Sequence, residues 1–152
     1  MTNFIISIAL AFLSSVGFSI IANIPKKIVP TAGVIGCLAW VVYYVLKLKT
    51  TSSIFIPNIC ASFFIGLAGN YCAKKYKMPA LMFYAGAIIP LVPGGLAFTA
   101  AQHFKSSDVN VFMSGIVNII KVSSSLTIGI GWANVITKKY QKPKKMTEGA
   151  KQ

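Results

Sequence analysis

The side chains that could carry chemistry are few in this 152-residue chain. It has one histidine, His103, and two acids, Asp108 and Glu148, and no nucleophile is paired with a base. Because a catalytic site needs such groups within hydrogen-bonding reach of each other, we do not expect an enzyme. No Gly-rich phosphate loop follows a strand, so we expect no nucleotide hydrolysis. His103 is interpreted as an interfacial residue rather than a proton shuttle, because Asp108 is the only acid near it.

The three cysteines do not form a recognisable site. Cys37, Cys60 and Cys72 are odd in number, lie inside apolar stretches and share no CxxC or Cys/His spacing. Free cysteines pack as small hydrophobic residues. We therefore expect buried thiols, with no disulfide framework, metal site or cofactor.

The strongest candidate for a functional element is the sequence PLVPGG at residues 90–95. Two prolines remove helical hydrogen-bond donors and two glycines loosen the backbone, so an apolar helix is expected to break there. Inside a membrane, a break survives only where protein or a wet cavity covers the backbone groups. Transporters use such breaks to direct a half-helix N-terminus, here Gly94 and Gly95, at an anionic substrate group. The alternative is a proline kink that only shapes packing.

Lys121 is the second candidate, because it lies deep inside the last apolar stretch, near the expected middle of the bilayer. A lysine there costs about 2.5–3.5 kcal/mol, so we expect it to face the interior of the helix bundle. Ser114, Asn118, Lys121 and Ser125 are spaced for one helix face. This polar face would suit a carboxylate. Alternatively, Lys121 snorkels to the membrane surface because the register of the span is shifted.

Other polar and small residues have weaker interpretations. Asn23, beside Pro25, is either a polar cavity residue or a helix-end cap. Small residues recur at helical spacing, and we interpret them as close helix contacts. They are Ser15 and Ser19, Ala32 and Gly36, and Ser62, Gly66, Gly69, Asn70 and Ala73.

Composition identifies the elements that must position these residues. The chain is 55% hydrophobic and 11% charged, and its apolar blocks of about 20 residues match the length of transmembrane helices rather than barrel strands. The sequence predicts an all-α, polytopic integral membrane bundle of five transmembrane helices, or four if the second is lost, with the fourth broken at PLVPGG. Within a membrane domain of residues 1–137, the predicted spans are 4–24, 29–46, 54–73, 79–101 and 111–136.

The net charge of +13 comes entirely from lysines, most of them beside the apolar blocks. With no arginine and no basic patch interleaved with aromatics, nucleic-acid binding is not expected. If all five spans cross, the positive-inside rule places the N-terminus outside, because eleven lysines then lie on the cytoplasmic side and three in external loops. Residues 138–152 form a basic cytoplasmic tail, expected to be solvated and disordered, at the surface of the lipid bilayer.

The sequence resembles the small, YjjB-like half of the threonine/serine exporter (ThrE) family. The resemblance covers nearly the whole chain before the tail and is strongest at the IPLVPG motif, residues 89–94. The other positions that carry it are Gly17, Phe18, Asn23, Pro25, Pro79 and Thr99.

This resemblance implies an inner-membrane exporter of small polar organic solutes, driven by proton-motive force. In the family, threonine and serine are substrates of fused, ten-span members, and export of a dicarboxylate, succinate, is attributed to split pairs. The chain would work with a larger membrane partner subunit. Five spans are also few for alternating access.

The resulting prediction is a small membrane subunit of a two-component exporter. The alternative is a non-transporting scaffold subunit that stabilises a partner membrane protein. The break is assigned as the small-molecule substrate site, with Lys121, Asn118 and Asn23 as further candidates. Its residues are Pro90, Pro93, Gly94, Gly95 and Thr99.

Overall fold

The computed structural model describes residues 2–50, 53–92, 94, 97–98, 101–102 and 109–149. Within that part of the chain the secondary structure is helical. The elements are α1 (Thr2–Ile21), α2 (Val29–Lys49), α3 (Phe55–Tyr76), α4 (Ala80–Ala87), a 3₁₀ turn (Ile89–Leu91) and α5 (Val109–Gly149).

Helices long and apolar enough to cross a membrane number four in the described residues. They are Phe4–Ile21, Val29–Lys49, Phe55–Tyr76 and Phe112–Lys139. Large apolar side chains face outward along them, which suits lipid rather than water. The chain is therefore a multi-pass membrane protein. The second predicted span is among the four helices, because its proline, Pro30, lies in the first turn, where a missing N–H costs least.

The fourth predicted span, residues 79–101, is not one continuous helix. Its first part is α4, which has only eight residues and ends at Ala87. Eight residues rise about 12 Å, well short of a bilayer crossing. Pro93 and Gly95 of the PLVPGG sequence lie outside the described residues.

Two helix ends differ from the expected bounds. The first helix stops at Ile21 rather than at residue 24, because Asn23 adopts a left-handed conformation, with φ of 54°. The last helix continues to Gly149, so the tail expected to be disordered begins as helix. Lysine and glutamine, which recur in the tail, favour helix.

Hydrogen bonds show that α3 and α5 run in the same direction. Asn58, near the start of α3, donates to Ser125, and Asn70, near its end, donates to Asn134. Residue numbers thus rise together along the contact. We call the end where α3 finishes with Lys74 and Lys75 the lysine-rich end, and the other the opposite end.

Small residues allow the helices to pack closely, as their spacing predicts. A Cβ on Gly36 of α2 would collide with Ser15 of α1, and one on Gly86 of α4 would collide with Ser19. A Cβ on Gly66 of α3 would likewise collide with Ala133 of α5. Such contacts allow polar groups to meet across helices in the absence of water.

Candidate functional site

The end of α4 and the 3₁₀ turn that follows it lie about halfway along α1 and α2. Pro90, in the 3₁₀ turn, shares a groove with Ala11 and Trp40. These two residues stand about halfway along α1 and α2. The chain therefore leaves its α-helical conformation near the depth at which transporters place their substrate sites.

Hydrogen bonding at the break follows from its sequence. Pro90 has no N–H with which to continue the α4 ladder. The Leu91 N–H donates to Ile88, three residues back, at 2.8 Å, and Val92 donates to Ile89 at 3.2 Å. Val92 is extended, with ψ of 135°. The backbone thus passes from an α-helix to a 3₁₀ turn and then to an extended conformation. The last carbonyl groups of α4 therefore lack their usual α-helical donors.

Two grooves flank the break. The first, which we call the proline groove, has a volume of about 380 Å³ and lies between α1, α2 and Pro90. The second, the α5 groove, has a volume of about 500 Å³ and lies between Ile88 and Val92 on one wall and α5 on the other. The α5 wall carries the polar side chains Ser123, Thr127 and Asn134. Both are open surface grooves rather than enclosed cavities.

The structure places Lys121 elsewhere than expected. Its side chain is exposed and does not face the interior of this chain's bundle. The carbonyl of the next residue, Val122, accepts a hydrogen bond from Asn58, only one turn from the start of α3. Lys121 therefore lies toward the opposite end, close to the level at which α3 begins. The hydropathy of α5 alone did not reveal this, because its apolar stretch is longer than a bilayer crossing.

The predicted polar face of α5 is divided by its contact with α3. Ser125 is fully buried against Asn58, Asn118 is half-buried, and Ser114 and Lys121 are exposed. The buried residues of α5 are centred on Val122, about 100° around the helix from Lys121. The sequence gives the spacing of such a face but not its rotation toward a neighbour.

Asn23 ends α1 and also borders a pocket. It ends α1 in the left-handed conformation, and the Ile24 N–H donates back to Ser19 at 3.0 Å, as in a helix C-cap. It also lines a pocket of about 410 Å³ with Lys26 at the lysine-rich end. Asn23 and Pro90 therefore contribute to different cavities.

The remaining break residues are only partly described. Gly94 is exposed, and a Cβ placed on it would meet nothing within 4 Å. Pro93, Gly95 and Thr99 lie outside the described residues. Among the described candidates, the structure does not bring Pro90, Asn23, Asn118 and Lys121 together into one site.

A polar network between α3, α4 and α5 is the main feature that the sequence interpretation missed. Asn134 accepts hydrogen bonds from Asn70 and from the hydroxyl of Tyr84, each at 2.8 Å. Asn70 also donates to Thr137 at 3.3 Å. The asparagines inside apolar spans were the sequence signal that could have revealed this network, because an amide in lipid must find hydrogen-bond partners.

Comparison with known proteins adds a decisive observation. The family model described as "Threonine/Serine exporter, ThrE" matches residues 7–136. The chain belongs to the threonine/serine exporter (ThrE) family. The description of that family is of membrane exporters of threonine and serine.

One relative of this ThrE-family chain is an uncharacterized protein of Haemophilus influenzae (strain ATCC 51907 / DSM 11121 / KW20 / Rd). It is 26% identical over 132 residues, which cover 79% of this chain and 43% of the relative. The chain thus spans less than half the length of that relative. No solved structure matches this chain.

Proposed function

We propose that this ThrE-family chain is the small membrane subunit of a two-component exporter of small polar organic solutes. The solutes are threonine and serine, or a dicarboxylate such as succinate. The observation that carries the proposal is the helix break at mid-depth, flanked by the proline groove and the α5 groove. We assign export rather than uptake because the matching family is described as exporters.

Five membrane crossings are proposed rather than four. The parallel course of α3 and α5 supports the fifth, because residues 77–108 must recross the bundle between them. The lysine distribution then favours an external N-terminus and a cytoplasmic C-terminus in the bacterial inner membrane. The lysine-rich end would be cytoplasmic, and Lys121 would lie near the external surface.

A larger partner subunit is proposed to complete the exporter. The match to the Haemophilus relative covers 43% of that protein, which is longer than this chain. Alternating access places a site between two repeats or bundles, which a partner would provide. Both acids of the chain, Asp108 and Glu148, lie outside the predicted spans. A proton-driven cycle would therefore use a carboxylate from the partner.

The candidate residues are assigned to different depths of one path. Asn23 would line the cytoplasmic mouth, and the break at 90–95, with Thr99, would form the mid-depth site. Lys121 and Asn118 would lie toward the external mouth, where the ammonium group of Lys121 attracts the carboxylate of the departing solute.

Export assays test the proposal directly. Cells that carry this chain, its candidate large partner, or both are loaded with labelled threonine, serine or succinate, and efflux is followed. Export that requires both chains supports the split exporter and identifies the solute. Equal efflux in all cells, with both proteins present in the membrane, would instead favour the scaffold function.

A further inference from the structure

The α5 groove contains one side chain whose orientation is set by its neighbours. We propose that Asn134 is a solute-contacting residue and that its amide donates to a carboxylate of the transported solute in the α5 groove. The proposal rests on the exporter function proposed above and adds a binding residue to it.

Two donors face the oxygen end of the Asn134 amide. The Asn70 amide and the Tyr84 hydroxyl both donate to Asn134 Oδ1, each at 2.8 Å. The Gly66 carbonyl oxygen also lies 3.4 Å from the Tyr84 hydroxyl, so Asn134 Oδ1 is the nearer of the two acceptors for its single proton. An amide oxygen has two lone pairs, so these bonds use its accepting capacity. In the described part of the chain, no residue accepts a hydrogen bond from Asn134 Nδ2. The two Nδ2 protons thus remain for the groove, which Asn134 lines.

An amide with free donors is costly inside a bilayer. An unsatisfied polar group in hydrocarbon costs several kcal/mol, so the Nδ2 group needs water or a polar ligand. A residue that serves only to pack helices does not need an outside partner of this kind, because its polar groups are satisfied within the helix interface. Asn58, in contrast, donates its amide to Ser125 and to the carbonyl of Val122 within the helix interface.

The groove is open along α5, and its polar side chains stand beside the apolar residues Leu126 and Ile130, which also line it. Ser123 and Thr127 are exposed on the same wall as Asn134, and the three residues extend along α5 over about 16 Å. The facing wall is Ile88 and Val92, which bracket the break. A carboxylate at Asn134 would lie toward the lysine-rich end, with hydroxyl groups continuing toward the opposite end.

Preorganisation follows from the same network. Because Tyr84 is 7% exposed and hydrogen-bonded, its hydroxyl holds Asn134 without competition from water. An amide fixed before binding loses little conformational entropy when the solute arrives. Tyr84 is thus a positioning residue, and Y84F is expected to raise the KM for export more than it lowers the maximal rate.

Export by substituted chains is the first measurement. With the large partner present, N134L is expected to lower efflux of labelled serine or succinate at least about tenfold, which corresponds to about 1.4 kcal/mol. S124A is the matched control, because Ser124 is exposed on α5 and does not line the groove. Its efflux is expected to equal that of the unsubstituted chain at the same protein level.

Cysteine labelling gives a second measurement that does not alter Asn134. After Cys37, Cys60 and Cys72 are replaced by alanine, T127C is expected to react with a hydrophilic thiol reagent, and saturating serine or succinate should slow the reaction. I128C is the control: Ile128 neighbours Thr127 in sequence, is exposed and does not line the groove, so lipid should shield it.

The outcomes separate this proposal from the exporter function. Normal export by N134L, together with unprotected T127C, would overturn the role of Asn134 while leaving the exporter intact. If the unsubstituted pair exports nothing, the exporter function fails. Protection of T127C by either solute would then still support a carboxylate site, and absence of protection would refute it.

Discussion

The amide of Asn58 donates to the hydroxyl of Ser125 at 2.8 Å, and both side chains are buried. This bond joins α3 to α5 close to the opposite end of the bundle, while the Asn70–Asn134 bond joins them near the lysine-rich end. Two bonds at different depths determine both the direction and the register of the helix pair.

Removal of the Asn58 amide is expected to weaken the α3–α5 pair. In N58L, Ser125 and the carbonyl of Val122 lose a donor. Interhelical hydrogen bonds in membranes are worth about 0.6 kcal/mol on average and up to about 1.7, and we expect a loss in that range. Thermal unfolding in detergent measures the change. N118L serves as the control, since Asn118 has no hydrogen bond in the described part of the chain; an equal loss in both variants would contradict the prediction.

A methyl group at Gly129 should separate the same two helices. A Cβ there would collide with Ser62 and would stand 2.7 Å from the carbonyl oxygen of Ile59. Backbone cannot move aside as a side-chain tip can, and overpacking typically costs about 1–3 kcal/mol. We expect G129A to lower the unfolding temperature in detergent. G131A provides the comparison, because a Cβ on Gly131 meets nothing within 4 Å; destabilisation of both variants would show that helix contact is not the cause.

The sequence was sufficient to predict the four long apolar helices but not their contacts. Hydropathy located α1, α2, α3 and α5, because a bilayer crossing needs a long apolar block whatever surrounds it. Pro90 predicted the end of an α-helix, because the missing N–H acts locally. Hydropathy and the missing N–H are both local properties of the chain, so a single sequence is enough to predict their effects.

The rotation and depth of α5 could not be predicted in this way. Lys121 and Val122 are adjacent in sequence, yet one is exposed and the other buried. Which face of α5 turns inward depends on Asn58 and Ser62, more than 60 residues earlier, and on the close approach at Gly129. Asn134 acquires its orientation only from Asn70 and Tyr84. Such pairings belong to the tertiary fold, and a single sequence does not reveal them.

The depth of Lys121 has a consequence for its chemical accessibility. With the natural cysteines replaced, we expect K121C to react with a membrane-impermeant thiol reagent added outside intact cells. K138C, at the lysine-rich end, should react only after the cells are permeabilised. K121C that never reacts would indicate a midplane position, and the reverse pattern of the two variants would indicate the inverted orientation.

Charge at Lys121 should matter for export more than for folding. Because the side chain is exposed in this chain, K121M is expected to keep the unfolding temperature and to reduce export with the large partner. K121R retains the positive charge and should export better than K121M. Equal export by all three proteins at matched levels would exclude a role for the ammonium group.

Restoring a backbone donor at the break should stop transport without unfolding the protein. P90A supplies the N–H that Pro90 lacks, so α4 can extend past Ile88, and an alanine in a helix interior is favoured over proline by about 3 kcal/mol. A continuous helix in place of the 3₁₀ turn would fill space that now belongs to the proline groove and the α5 groove. We expect export to fall at least about tenfold, equivalent to about 1.4 kcal/mol, while the unfolding temperature stays equal or rises. P30A is the matched control, because Pro30 lies in the first turn of α2, where proline interrupts no hydrogen bond. Full export by P90A would mean that the break shapes packing alone.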